Sequence, residues 1–209
     1  MYRPPAFRED RPEVLHEAIR THPLGTLITS GSSGLMANVL PFSLRTGSDG
    51  DILCAHLAKA NEQLQDLREQ TPALVLFQGP QAYVSPSWYP TKKEHGKAVP
   101  TWNYVIVQVW SRPRVIDDDA WLLDQIGELT RAHESRRADP WKVTDAPAPF
   151  VKAQLKGIAG LEMPISRIEG KWKVSQNQPE RNRLGVVAAL RSEGFNDLAE
   201  LVADSTSGH

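Results

Sequence analysis

The hydrophobic period of this chain changes at His22-Pro23 from helical to strand-like, and is mainly strand-like from Leu24 to about Tyr89 and again from Val99 to about Ile116. That switch constrains the fold more than any other feature. Before it, Asp10 followed by Glu13 has the form of a capping box, and Val14, Leu15, Ala18 and Ile19 then share one face of a short amphipathic helix that Pro23 ends. After it come alternating apolar runs at 24–29, 35–44, 51–57, 73–78, 81–89 and 99–116, separated by Gly-Ser or Gly-Pro punctuation, with a hairpin turn at 47–50. One short helical stretch interrupts them, over 61–70, capped by Asn61 and carrying Leu64 and Leu67 on one side. Six strands arriving as consecutive meanders, with only one short helix between them, predict an antiparallel barrel and not a βαβ sheet.

A polar loop over 91–98 precedes the sixth strand, and Asp117-Asp118-Asp119 follows it as the N-cap and acidic first turn of a helix carrying Trp121, Leu122, Ile126 and Leu129 to about Arg136. The rest is mixed. After a Pro-rich stretch at 146–149, a helix is expected over 150–156, a strand over 161–168, a turn at Glu169-Gly170 and a strand over 171–175. Helices are then expected over 180–191 and 196–203, with a frayed tail over 204–209. The predicted fold class is therefore mainly β with flanking helices. A six-stranded antiparallel barrel with its N-terminal helix occupies 1–145, and a mixed α/β extension over 146–209 packs on it.

Composition narrows the function classes. At 209 residues the chain can bury roughly 70% of its unfolded surface in one core. With 24 Lys+Arg against 25 Asp+Glu, the net charge of −1 excludes a whole-protein basic footprint, so any nucleic-acid contact must be local. The single cysteine, Cys54, excludes an internal disulfide framework and a multi-thiolate zinc site, and points to a reducing compartment, the cytoplasm. The first residues lack the apolar core of a cleavable signal, and no apolar run approaches the length of a membrane span, so no membrane role is expected. The histidines at 16, 22, 56, 95, 133 and 209 form no zinc-type pair, and no Walker A, GxSxG or GxGxxG pattern is present.

Four clusters carry the remaining information. His56-Leu57-Ala58-Lys59-Ala60-Asn61 joins a strand end to a helix start, where free N–H groups and Lys59 suit a phosphate, although a solvated lysine at an ordinary corner reads equally well. Two aromatic-polar runs, residues 83–90 and 99–104, hold Ser85, Trp88, Thr101, Trp102 and Asn103; such surfaces suit a flat heteroaromatic ligand, or else packing at a subunit interface. Finally, Gly170-Lys171-Trp172-Lys173 with Ser175-Gln176-Asn177 sets lysines around a tryptophan, for a phosphate or merely as guards of an edge strand.

In this order the clusters, with the opening Met1-Tyr2-Arg3-Pro4, Leu40-Pro41-Phe42, Phe77-Gln78-Gly79-Pro80 and Leu129-Thr130 with Glu134, resemble the PaiB family of FMN-binding negative transcriptional regulators across nearly the whole chain. The resemblance implies a split β-barrel, FMN as cofactor and a homodimer with flavin at its interface. It nominates His56, Lys59, Asn61, Ser85, Trp88, Thr101, Trp102, Asn103, Lys173 and Gln176 as cofactor-binding residues, with Lys59 and the Asn61 helix start on the phosphate. No catalytic residue and no metal ligand are nominated, and enzymatic activity stays open: the expected role is redox- or flavin-responsive regulation, with a flavin-dependent oxidoreductase as the alternative. A haem-binding reading would use His56 or His133. The dimer interface is expected to include the strand over 99–110, and DNA would have to meet Arg131, Arg136 and Arg137 or Arg181, Arg183 and Arg191.

Overall fold

The computed structural model of the protein describes residues 1–32 and 34–205. Of the tail expected to fray, residues 206–209 lie outside the described residues. In chain order the elements are β1 (Arg8–Glu9), α1 (Pro12–Thr21), β2 (Leu24–Gly31), β3 (Gly34–Pro41), β4 (Ser43–Arg45), β5 (Ile52–Ala58), α2 (Gln63–Arg68), β6 (Ala73–Val84), α3 (Lys92–His95) and β7 (Thr101–Ser111). Then follow β8 (Arg114–Ile116), α4 (Asp119–Glu134), α5 (Ala148–Leu155), β9 (Ile158–Lys173), α6 (Glu180–Ser192) and α7 (Asn196–Asp204). Among the described residues nine strands hydrogen-bond in the order β3-β2-β6-β7-β9-β5-β4, with β1 and β8 each paired to β9. The class is the expected one, an antiparallel sheet with flanking helices. The expected count of six strands was low because β4 separates from β3 at Phe42, and because β1 and β8 are too short to show a period.

The chain divides into two compact units. The first holds Met1–Leu15, Gln78–Val107 and the described part of Glu169–His209. Its core forms where Val84, Tyr89, Val105 and Val174 meet the apolar face of α6 and α7, namely Val186, Leu190, Leu198 and Val202. Arg8 and Glu9 of β1 pair with Lys171 and Gly170 of β9. The turn expected at Glu169-Gly170 is absent, and β9 runs straight through it. Gly170 is there for room: a Cβ would stand 2.3 Å from Leu15 Cδ2 and 3.0 Å from the Glu9 carbonyl. Asp10 is not a helix cap either; its carboxylate takes Arg3 at 2.7 Å and Arg8 at 2.5 Å.

The second unit is His16–Phe77 with Gln108–Ile168. Here β2 pairs with β3 and β6, β5 with β4 and β9, and β8 with β9, every pair antiparallel. Phe42 and Phe77 meet edge to face at 5.6 Å over Gly25, where a Cβ would stand 2.7 Å from the Phe77 ring. Asp118 caps α4 by accepting the Trp121 N–H at 2.7 Å, as the aspartate run predicted. The strand over 73–78 does not stop at Gly79-Pro80: β6 is one strand to Val84.

Candidate functional site

In the second unit, β5 ends at Ala58 and the chain turns through Lys59-Ala60-Asn61 into α2. The corner is largely satisfied from within. The Lys59 N–H donates to the Gly157 carbonyl at 2.9 Å and the Asn61 N–H to the Ala58 carbonyl at 2.9 Å. Asn61 Oδ1 accepts the Gln63 N–H at 3.0 Å, the capping bond its sequence position predicted. What the corner offers outward is the Lys59 ammonium, which is 4.0 Å from an Asp117 carboxylate already paired with Arg68 at 2.8 Å. It is a solvent-facing cation on a rigid corner.

That rigidity comes from a buried polar network that local patterning could not show. Thr29 Oγ1 donates to Asp66 Oδ2 at 2.7 Å. Gln63 Nε2 reaches the Leu27 carbonyl and Thr29 Oγ1, both at 3.2 Å, and its Oε1 accepts Asn38 Nδ2 at 3.0 Å. Gln63 is fully buried and Asp66 nearly so, and together they fasten α2 to β2 and β3 through side-chain bonds in a low-dielectric setting.

His56, also nominated, is not at that corner's surface. It lies under α4, where its Nδ1 donates to Gln125 Oε1 at 2.8 Å. Beside it the Trp121 indole covers Gly160, where a Cβ would stand 2.3 Å from the ring, and Trp121 Nε1 donates to Glu162 Oε1 at 2.9 Å. Arg45 closes the same contact with Glu128 at 2.8 Å and Asp124 at 2.8 Å. These bonds make His56 part of the polar seam that holds α4 on β5 and β9.

The first unit gathers the other nominees. Alternation along β7 turns Thr101 and Asn103 to one side and Trp102 to the other. Lys173, half-buried at the end of β9, donates to Thr101 Oγ1 and, at 2.9 Å, to the Trp102 carbonyl. Burial holds its ammonium below the usual lysine range; Tyr104 opposes that shift and Lys171 adds to it. Both of its acceptors are neutral, and among the described residues it has no ion-pair partner. Asn103 is buried and bonds Ser175 at 2.9 Å, one residue beyond Val174 in a turn where Ser175 takes φ +64°. Gln176 stabilises that same turn, accepting the Val174 N–H at 2.8 Å and donating to the Trp172 carbonyl at 2.5 Å.

Ser85 and Trp88 line a surface depression of about 600 Å³ that they share with Trp102, Tyr83, Ser87 and Phe195; Lys173 is not in its lining but bonds the carbonyl of Trp102, which is. Trp102 and Tyr83 stand edge to face at 6.2 Å, and both are about half exposed. Ser85 Oγ and Ser87 Oγ are 2.7 Å apart. The two hydroxyls bond one another and Ser85 Oγ also accepts the Ser87 N–H at 3.2 Å, so aromatic faces stand beside an exposed hydroxyl pair, a surface that suits a planar, polar-edged ring. Phe195 is a residue that sequence reasoning missed here, because its strand neighbours Tyr83 and Trp102 lie 112 and 93 positions away.

Among the described residues no three His, Cys, Asp or Glu side chains gather as a metal site, and no helix is long and apolar enough to cross a membrane. Cys54 is buried, and burial pushes its thiol up to about 11.

The family model described as "Putative FMN-binding domain" matches residues 1–167. Among curated proteins, the chain is 34% identical over 240 residues to a protein of Emericella nidulans, covering 98% of this chain and 95% of that one. It is 28% identical over 207 residues to the protease synthase and sporulation protein PAI 2 of Bacillus subtilis, covering 98% and 97%. Among solved structures it is similar to a FAD and heme binding protein from Mycobacterium smegmatis, with a TM-score of 0.60 at 19% identity over 79% of this chain and 73% of that one. The flavocytochrome Anf3 from Azotobacter vinelandii gives 0.58 at 13% identity, over 79% and 69%. At those identities the structural likeness speaks for the fold.

Proposed function

The chain belongs to the FMN-binding domain family, and we propose that it binds FMN and serves as a PaiB-like regulator whose state follows its flavin. The observation that carries the cofactor reading is Lys173. A half-buried ammonium whose acceptors are the Thr101 hydroxyl and the Trp102 carbonyl carries an unneutralised charge, and an anionic oxygen is what it lacks. The donor set therefore fits a phosphorylated, ring-bearing ligand. In the first unit, Lys173 supplies charge, while Trp102, Tyr83 and Trp88 supply stacking area beside Ser85. Lys59 in the second unit, a cation held by the Asn61-capped corner, is a separate candidate for the phosphate.

FMN supplies the redox chemistry when bound. The protein's part is to hold charge and shield a ring, and no side chain is assigned a catalytic role. Asn103 and Gln176 act indirectly, by fixing the turn that follows Lys173.

We place homodimerisation in the same proposal. On the second unit, the outward sides of β2 and β3 leave Leu24 63%, Leu35 79% and Val39 58% exposed, an apolar strip on an edge hairpin that a second copy would cover. On the first unit, Trp102 of β7 presents a comparable exposed aromatic. The regulatory part needs DNA contact, and the cations differ in what they have free. Arg181 is paired with Glu94 and Arg137 with Glu134, whereas Arg131 and Arg136 in one cluster and Arg183 and Arg191 in the other have no ion-pair partner among the described residues. Either cluster could therefore meet DNA phosphates.

The test is a visible spectrum of the purified protein with an FMN titration, followed by mobility shifts on genomic fragments across a salt series. Saturable flavin binding with salt-sensitive retardation supports the proposal. Absence of flavin uptake removes the cofactor reading, a Soret band replaces it with haem, and flavin binding without retardation at low salt leaves a redox protein instead of a regulator.

A further inference from the structure

The second unit contains a groove that the flavin reading does not use. It lies between α4 and α5, has a volume of about 660 Å³, and is walled by Leu123, Trp141, Val151 and Leu155. Three cations line it, Arg131, Lys142 and Lys152, and no carboxylate does. Three of the four acids of α4 are spent elsewhere, and the fourth, Asp119, is in its first turn: Asp124 and Glu128 bond Arg45, and Glu134 bonds Arg137 at 3.0 Å. None of the three groove cations has an ion-pair partner among the described residues.

A glycine explains how the charge reaches the apolar wall. Gly127 stands in the interior of α4, where glycine weakens a helix. A Cβ there would lie 3.3 Å from Arg131 Nη1, so the guanidinium folds back one turn over the bare backbone; both residues line the groove, with Arg131 exposed to solvent. An arginine beside an apolar trough, with two lysines and no acid in its lining, matches a ligand that is apolar along its length and anionic at one end; the nearest carboxylates, Glu134 and Asp145, are taken up by the Trp141 N–H at 3.1 Å and the Lys142 N–H at 2.8 Å.

We infer that the α4–α5 groove is a binding site for an amphipathic anion, a small molecule with an apolar body and a single carboxylate, sulfonate or phosphate group. Its volume is that of a small-molecule site, and its one-sided charge sets the polarity of the ligand. A neutral ligand of the same shape would leave the guanidinium desolvated without compensation.

The test uses the full chain with saturating FMN, and anilinonaphthalene sulfonate as fluorescent probe, displaced in turn by dodecanoate and by dodecanol. Dodecanoate is expected to displace the probe at least about ten-fold more effectively than the alcohol, the worth of one charge-assisted hydrogen bond. Arg131→Gln should erase that preference, and Gly127→Leu, which fills the groove, should abolish displaceable binding. Circular dichroism melts identify any variant that fails to fold, in which case Lys152→Gln and Val151→Trp replace them. Equal displacement by acid and alcohol would overturn the inference, as would unchanged binding in folded Gly127→Leu or Val151→Trp. Competition by FMN would assign the groove to the flavin, and sedimentation showing a second copy seated there, with the probe excluded, would assign it to self-association; either result also overturns it.

Discussion

The Lys173 ammonium donates to the Trp102 carbonyl at 2.9 Å and to Thr101 Oγ1, so a strand-end lysine is fixed by two neutral oxygens of β7 and by no acid among the described residues. Such an arrangement holds a charge in place without neutralising it, which a folded protein gains little from unless an anion arrives.

Lys173→Met therefore separates binding from folding. The unliganded variant should melt at the wild-type temperature or above, because a partly desolvated charge has been removed. Its FMN affinity should fall by about 1.5–3 kcal/mol, roughly ten- to one-hundred-fold, the range for a hydrogen bond to a charged group. Fluorescence titration of FMN measures the second effect and calorimetry the first; wild-type affinity in the variant would take Lys173 out of the site.

Much of this arrangement was legible in the sequence, and the boundary of legibility is physical. The period switch at Pro23 announced the antiparallel class, and the Asn61 and Asp118 caps were readable because capping is a local transaction between a side chain and an N–H two or three residues on. Thr101, Trp102 and Lys173 were nominated from separate clusters, and the structure brings them into direct contact. Gly79-Pro80 and Glu169-Gly170 were both misread as breaks, and at Gly170 the reason is plain: composition shows that a glycine is present but not what leans on it. Gly170 answers to Leu15 and Glu9, far away in sequence. His56 was nominated for a ligand, and its partner Gln125 is 69 positions away, so no local pattern could have shown that α4 covers it.

The bond between Thr29 and Asp66 tests whether the Lys59 corner is held from behind. Thr29→Val keeps the shape and removes the donor, leaving a buried carboxylate short of a partner. Stability should fall by about 1–3 kcal/mol in urea denaturation. Gly31→Ala should act on the same network, since its Cβ would meet Asp66 Oδ1 at 1.8 Å. Wild-type midpoints in both variants would mean that α2 is held by its apolar face alone.

Cys54 gives a pH dependence of definite sign. Its thiol is neutral in the core and pushed up to about 11 from the ordinary value of 9.0, by burial above all. Below pH 9 folded and unfolded chains both keep the proton, and the neutral thiol's contribution is fully present. As pH rises the unfolded chain loses its proton first, so stability drains away until the folded thiol also ionises near 11. At about 1.4 kcal/mol per unit, the loss should reach about 2–3 kcal/mol. Urea denaturation at stepped pH, with Cys54→Ala as reference, isolates this from other alkaline titrations; parallel curves for the two proteins would contradict it. Thiol reagents at neutral pH should label Cys54 only after denaturant is added.

The exposed strip on β2 and β3 gives a test of the proposed dimer. Leu35 and Val39 lie opposite Ser30 and Thr26 of β2, on an edge strand that has no further partner on its outer side among the described residues. If a second copy covers them, wild type should sediment as a dimer at micromolar concentration. Leu35→Lys and Val39→Lys should give a monomer of unchanged circular dichroism, because a lysine at each site desolvates a charge in the dimer and remains hydrated in the monomer. Trp102→Ala tests the other outward residue: dissociation there, with Leu35→Lys still dimeric, would move the interface to β7, where the sequence alone had placed it. FMN titration of the monomeric variants then shows whether pairing completes the flavin site. Undiminished affinity would mean that one chain holds the cofactor by itself, whereas a loss of ten-fold or more, the equivalent of about 1.4 kcal/mol, would mean that the second copy contributes to it.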